Sequence, residues 1–98
     1  MQTPSAKISC GEFILDTNSY TALKNNAPLQ LTVTEFRLLQ TFLQNASQVL
    51  TREQLIQAAY PEDIYLNDRA IDCHIKRLRK KIGSEKIETV YGLGYRFI

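Results

Sequence analysis

The chain contains no tryptophan, a single histidine and only two cysteines, Cys10 and Cys73, set far apart in its 98 residues. Two such separated thiols make no disulfide framework, and they lack the C-x2-C or H-x3-H spacing of a zinc site. Both thiols are expected to be free in a reducing compartment. No apolar run approaches the roughly 18 residues that cross a bilayer, and the opening MQTPSAK has no hydrophobic stretch of the secretory kind. These absences point to a cytoplasmic protein with no membrane partner. Four glycines and three prolines are too few for a collagenous or low-complexity chain. With one histidine, no Ser/His/Asp or Cys/His arrangement and no paired carboxylates at a meaningful spacing, no catalytic site is expected and the chain is read as not an enzyme.

What is present describes an ordinary globular chain: 44% hydrophobic residues, five tyrosines and four phenylalanines. At this length one modest core is expected and a second is not. Residues 1–6, MQTPSA, read as a linker stub or a disordered end, and 7–98 as one domain. The formal net charge of +2 conceals an asymmetry. Residues 69–81 carry six Lys/Arg against Asp72 alone, a net +5, which leaves −3 on the rest. A basic element on a mildly acidic body suggests a polyanionic partner bound at one face.

From Lys7 onward, KISCGEFILD, SYTALK and PLQLTV alternate apolar and polar residues imperfectly at period two. Turn-forming segments lie at 16–19 and at Asn25-Asn26, so three or four short antiparallel strands are expected. At Thr32 the period changes to about 3.6. Thr32 to Glu35 forms a capping box, and Phe36, Leu38, Leu39, Phe42 and Leu43 form the inward stripe of a helix ending near Asn45. A second box, Thr51 to Gln54, opens a shorter helix with Leu55, Ile56 and Ala59 inward, limited by Pro61. After a loop over 61–67, Asn67 or Asp68 can cap a third helix that runs to Ile82 and is closed by Gly83. The remainder, KIETVYGLGYRFI, reads as strand, turn and strand. No internal repeat is present.

The third helix separates into two faces. At about 100° per residue, Ile71, Ile75, Leu78 and Ile82 fall within one narrow arc, a face docked on a core. Arg69, Cys73, Lys76 and Lys80 lie opposite, with Arg77 on the shoulder. Asp72 with Arg79, and His74 with Lys81, occupy the flanks. Cys73 and His74 therefore diverge and cannot easily chelate one ion, and the surrounding cations would repel a metal. No metal or other cofactor is expected. A merely solvated face is the serious alternative, but such faces interleave Glu with Lys at i, i+4, and here only Asp72 does so, pairing with Lys76.

An α-helix fits the major groove of B-DNA, where Arg donates two hydrogen bonds to guanine and a small apolar side chain meets the thymine methyl. Arg77 and Cys73 suit those two roles, with Cys73 acting as a small hydrophobe, while the flanking cations suit phosphates. In the terminal hairpin Gly92 and Gly94 allow a tight tip and close approach to another backbone. A protein partner for the basic helix remains a rival reading. An RNA partner is weaker, because an A-form major groove does not admit a helix.

LTVTEFRLL, LTREQL, DRAIDCHIKRLRKKI and TVYGLGYRF, in this order and spacing, closely resemble the effector domain of OmpR/PhoB-type response regulators. Tyr91 with DRAIDCHIK looks most like the BaeR branch. The resemblance implies an α+β fold, a winged helix-turn-helix with an N-terminal four-stranded antiparallel sheet, a three-helix bundle and a C-terminal β-hairpin wing. It implies sequence-specific binding of double-stranded DNA, with helix 68–82 in the major groove and wing 90–95 at the minor groove. By motif position Cys73 and Arg77 read bases, while Tyr60, Arg69, His74, Lys76, Arg79, Lys80, Thr89 and Tyr95 contact the DNA backbone. Tyr91, Gly92 and Leu93 form the wing tip. The loop containing Pro61, Glu62, Asp63, Ile64 and Tyr65 matches the segment linked to RNA polymerase contact, with a plain connector as the alternative reading. The family further implies an N-terminal receiver domain, a tandem dimer on a direct repeat and a monomer when the effector domain is alone. Two departures stand out. Tyr91 replaces an Arg common at the tip, and Ala70 replaces a common Thr.

Overall fold

The computed structural model describes residues 7–59 and 68–98, with the side chains of 68 and 69 outside that description. The expected linker stub at 1–6 and the loop at 61–67 also lie outside it. Four short strands, β1 (Lys7–Cys10), β2 (Phe13–Asp16), β3 (Thr21–Lys24) and β4 (Ala27–Pro28), form an antiparallel sheet in sequence order. Its register pairs Ile8 with Leu15 and Leu15 with Ala22. In β2 the side chains alternate, Phe13 and Leu15 buried and Ile14 and Asp16 half-exposed, as expected where one sheet face meets a core.

Helix α1 (Val33–Gln44) begins at the expected capping box. The Glu35 amide donates to Thr32 Oγ1 at 3.1 Å and the Thr32 amide to Glu35 Oε1 at 3.0 Å. Helix α2 (Arg52–Ala59) begins at the second box, with the Gln54 amide on Thr51 Oγ1 at 3.1 Å and the Thr51 amide on Gln54 Oε1 at 2.9 Å. Arg37 of α1 donates to the Ala59 carbonyl at 3.3 Å, satisfying one of the last carbonyls of α2. Helix α3 (Asp68–Ile82) buries Ile71, Ile75, Leu78 and Ile82. Each is worth about 1.5–3 kcal/mol of apolar transfer. Arg79, Lys80 and Lys81 occupy its last turn, where cations favour the negative end of the helix dipole. Lys24 of β3 reaches across to cap the Ile82 carbonyl at 2.7 Å.

A 3-10 turn (Ser84–Lys86) leads into the wing, β6 (Ile87–Val90) and β7 (Gly94–Phe97). One strand departs from the expected pattern. β5 (Val49–Thr51), between α1 and α2, pairs with β7, so a second sheet forms in the order β5-β7-β6. Three residues are too few to show a period, and their partners lie near the chain's other end. This strand fastens the wing to the helices, and Gly94 permits it. A Cβ at Gly94 would come within 2.0 Å of the Leu50 carbonyl oxygen. The core joins both sheets to the bundle: Phe13 and Leu15 from the first sheet, the stripes of all three helices, and Ile87, Tyr95 and Phe97 from the wing. The architecture is the expected α+β one.

Candidate nucleic-acid interface

With its isoleucine face buried, α3 turns the opposite side to solvent. Cys73, Lys76, Arg77 and Lys80 are exposed there and line one shallow depression. None of these three cations forms an ion pair among the described residues. Among the described residues, no internal bridge competes with a partner for them. Cys73 is a free thiol in this depression, while Cys10 is half-buried at the end of β1. His74 is half-buried on the flank, turned away from Cys73's exposed face.

The expected i, i+4 pair of Asp72 with Lys76 is not formed. Asp72 instead accepts from Arg52 Nε at 3.0 Å and from the Tyr95 hydroxyl at 2.7 Å. The reason is energetic. An exposed pair within one helix is worth a few tenths of a kcal/mol, whereas Arg52 and Tyr95 offer a half-buried carboxylate two hydrogen bonds from neighbouring elements. Arg52 also lies 5.7 Å from the centre of the Tyr95 ring, a cation-π distance. The hydrogen bond to Asp72 holds Arg52 firmly protonated. Burial, followed by the bond to Asp72, pushes the Tyr95 hydroxyl above its ordinary range. This cluster ties α2, α3 and β7 together. Its consequence for the interface is that the one acid of α3 described in side-chain detail is committed to Arg52 and Tyr95, leaving Lys76 to solvent.

The wing is tied to α3 at a second point. Arg79, half-buried, donates to Thr89 Oγ1 at 3.3 Å and to the Ser84 carbonyl at 3.5 Å. Two residues expected at the DNA backbone thus meet each other at the base of the wing. Tyr95, a third, is only 6% exposed and donates its hydroxyl inward to Asp72. At the tip Tyr91 and Leu93 are exposed, and Gly92, at φ 81°, makes the turn between them. Tyr60, the Arg69 side chain and Pro61, Glu62, Asp63, Ile64 and Tyr65 lie outside the described residues.

Sequence reasoning did not find a second internal charge pair. Glu35 is 1% exposed, yet Lys81 of α3 donates to its Oε1 at 2.6 Å. Burial pushes this carboxyl up, but the bonds from Lys81 and Thr32 outweigh it and hold it below the ordinary carboxylate range. The one visible signal was Glu35's place in a capping box, which says nothing of Lys81. Lys81 is therefore a brace between α1 and α3, and the outward cations of α3 among the described residues are Lys76, Arg77 and Lys80.

Among the described residues no helix is long and apolar enough to cross a membrane. Residues 26–97 match the family described as "Transcriptional regulatory protein, C terminal". The phosphate regulon transcriptional regulatory protein PhoB of Klebsiella pneumoniae is 39% identical over 87 residues, which cover 85% of this chain and 38% of that protein. The chain thus spans about two fifths of the length of such curated relatives. Among solved structures, the DNA-binding domain of CpxR from E. coli superposes with a TM-score of 0.80 at 33% identity, covering 95% of this chain and 96% of that one. The DNA-binding domain of Klebsiella pneumoniae RstA, solved in complex with the RstA box, gives 0.79 at 28% identity, covering 93% and 95%.

Proposed function

Because this chain belongs to the family of transcriptional regulatory protein C-terminal domains, as an effector domain of the OmpR/PhoB response-regulator type, we propose that it binds double-stranded DNA sequence-specifically. In this reading α3 enters the major groove and the wing meets the neighbouring minor groove. The observation that carries it is the outward face of α3, where Cys73, Lys76, Arg77 and Lys80 share one depression with no acidic partner among the described residues. Arg77 reads a guanine edge and Cys73 packs on a thymine methyl. Lys76 and Lys80 bind phosphates, adding affinity through counterion release without sequence information.

The remaining contacts are part of the same proposal and rest on motif position. Arg69, His74 and Tyr60 meet the DNA backbone beside the helix, and the bonded pair Arg79 and Thr89 meets it at the base of the wing, where Tyr95, its hydroxyl committed to Asp72, holds the strand in place behind them. The loop with Pro61, Glu62, Asp63, Ile64 and Tyr65 meets RNA polymerase. Residues 7–98 act as one domain, with 1–6 leading back to a receiver domain in a longer protein that works in the cytoplasm. Two copies bind a direct repeat about one helical turn apart. The narrower likeness to the BaeR branch rests on Tyr91 and the DRAIDCHIK run.

Selection of preferred sites from a pool of random duplexes, followed by titration across salt concentrations, tests this reading. The expected result is an enriched motif, bound more tightly than random duplex, with affinity that falls steeply as salt rises. A pool that shows no enrichment would overturn it.

A further inference from the structure

We infer that the wing tip, Tyr91 and Leu93, is an apolar contact surface for the deoxyribose wall of a DNA minor groove, and that it adds affinity without adding salt dependence. The inference rests on the reading of α3 as the major-groove element and specifies how the wing takes part. Tyr91 is 91% exposed and Leu93 58%. The Tyr91 ring stands almost wholly in water and Leu93 is more than half exposed, whereas the exposed Tyr20 lies 5.0 Å from the Phe36 ring. Two large apolar side chains held in water on either side of a glycine gain nothing for the fold.

The tip is also held at a defined place. The Leu93 amide donates to the Val90 carbonyl at 3.0 Å across the turn. Below it, the Thr89 bond to Arg79 and the Tyr95 bond to Asp72 fasten both wing strands to α3. Whatever groove α3 occupies, the tip is carried beside it.

Charge then decides the mode of contact. Between Ile87 and Phe97 the only cation is Arg96, and it is paired with Glu88 on the facing strand. Lys86, just before the wing, is paired with Glu12. The wing therefore offers phosphates no uncommitted cation, in contrast to the face of α3. The surface it does offer is a tyrosine ring and a leucine, and the matching surface beside a bound major groove is the sugar-lined wall of the minor groove. Contact of this kind releases no counterions.

The test uses this chain and the tightest duplex obtained by selection from random sequence. Tyr91→Ala is expected to weaken binding about tenfold at every salt concentration, from the apolar area lost, and to leave the slope of log K against log salt unchanged. Tyr91→Phe is expected to bind like the unaltered chain, and Tyr91→Arg to steepen the slope by about 0.9. Trimming the duplex on the wing side should cost the unaltered chain more affinity than it costs Tyr91→Ala. Unchanged affinity for Tyr91→Ala overturns the proposal, as does a Tyr91→Phe loss equal to that of Tyr91→Ala, which would make the contact a hydroxyl bond to phosphate. A defect seen only on duplexes with two sites also overturns it, because the tip would then meet a second copy. If no duplex is preferred by the unaltered chain, the reading of α3 itself fails. If α3 selects a duplex and Tyr91→Ala changes nothing, the wing proposal alone fails.

Discussion

Lys76 and Arg77 are neighbours of the same charge on α3, yet the proposed reading gives them different work. An ammonium is a point charge suited to a phosphate, and a guanidinium is a planar fork suited to a guanine edge. Lys76→Ala should therefore weaken binding to selected and random duplexes alike and lower the salt slope by about 0.9. A titration that finds the slope unchanged removes Lys76 from the interface. Lys81 differs from both, because it braces the buried Glu35. Lys81→Met is expected to cost about 1–3 kcal/mol at neutral pH, the cost of leaving a buried charged acceptor short of a donor. The sign of its pH dependence follows from the folded carboxyl lying below its ordinary value of 4.5. The bridge stabilises fully above that value and is lost as pH falls through the folded one. Denaturation from pH 7 to pH 3 should thus show the gap between Lys81→Met and the unaltered chain closing below about pH 4.5. A gap that stays constant with pH would contradict the assignment.

Among the elements, α3 and the wing work as a unit because β5, Arg52 and Asp72 hold them together. Gly94 is the tightest point of that assembly. Gly94→Ala places a Cβ within 2.0 Å of the Leu50 carbonyl oxygen and should destabilise the domain by about 1–3 kcal/mol or more, measurable by urea denaturation. An equal stability would show that β5 and β7 can separate at no cost. The same elements mark how far the sequence could be read. Both capping boxes and all three helical stripes were legible, because caps and periodicity are local signals. β5 was not, since Val49–Thr51 is short and is defined only by its pairing with Gly94–Arg96. Nor is the true partner of Asp72 legible, for the same reason. Helical spacing names the i+4 neighbour, and only the tertiary fold brings Arg52 and Tyr95 to the carboxylate. The outward face of α3 was legible in its composition, but the inward commitment of Arg79, Lys81 and Tyr95 was not, because a helical projection cannot show what packs against a flank.

At the scale of the whole molecule, a +5 segment on a −3 remainder gives the outward side of α3 a basic face carrying Lys76, Arg77 and Lys80. Such a face orients the approach to a polyanion before any specific contact forms. With a modest number of cations and a single recognition helix, one copy should bind weakly, and high specificity should need two copies on a direct repeat. Sedimentation is expected to find a monomer in free solution and two copies on a duplex carrying two selected sites in tandem. A stable dimer without DNA would contradict this. The central claim, that the outward face of α3 reads sequence in the major groove, is tested most directly by comparing Arg77→Ala with the unaltered chain. The comparison is made on the selected duplex and on a set of single-base variants of it. The account predicts that the substitution costs about 1–3 kcal/mol on the selected duplex and erases discrimination at one base pair alone. An equal loss on every duplex, random ones included, would contradict it and make Arg77 a phosphate contact.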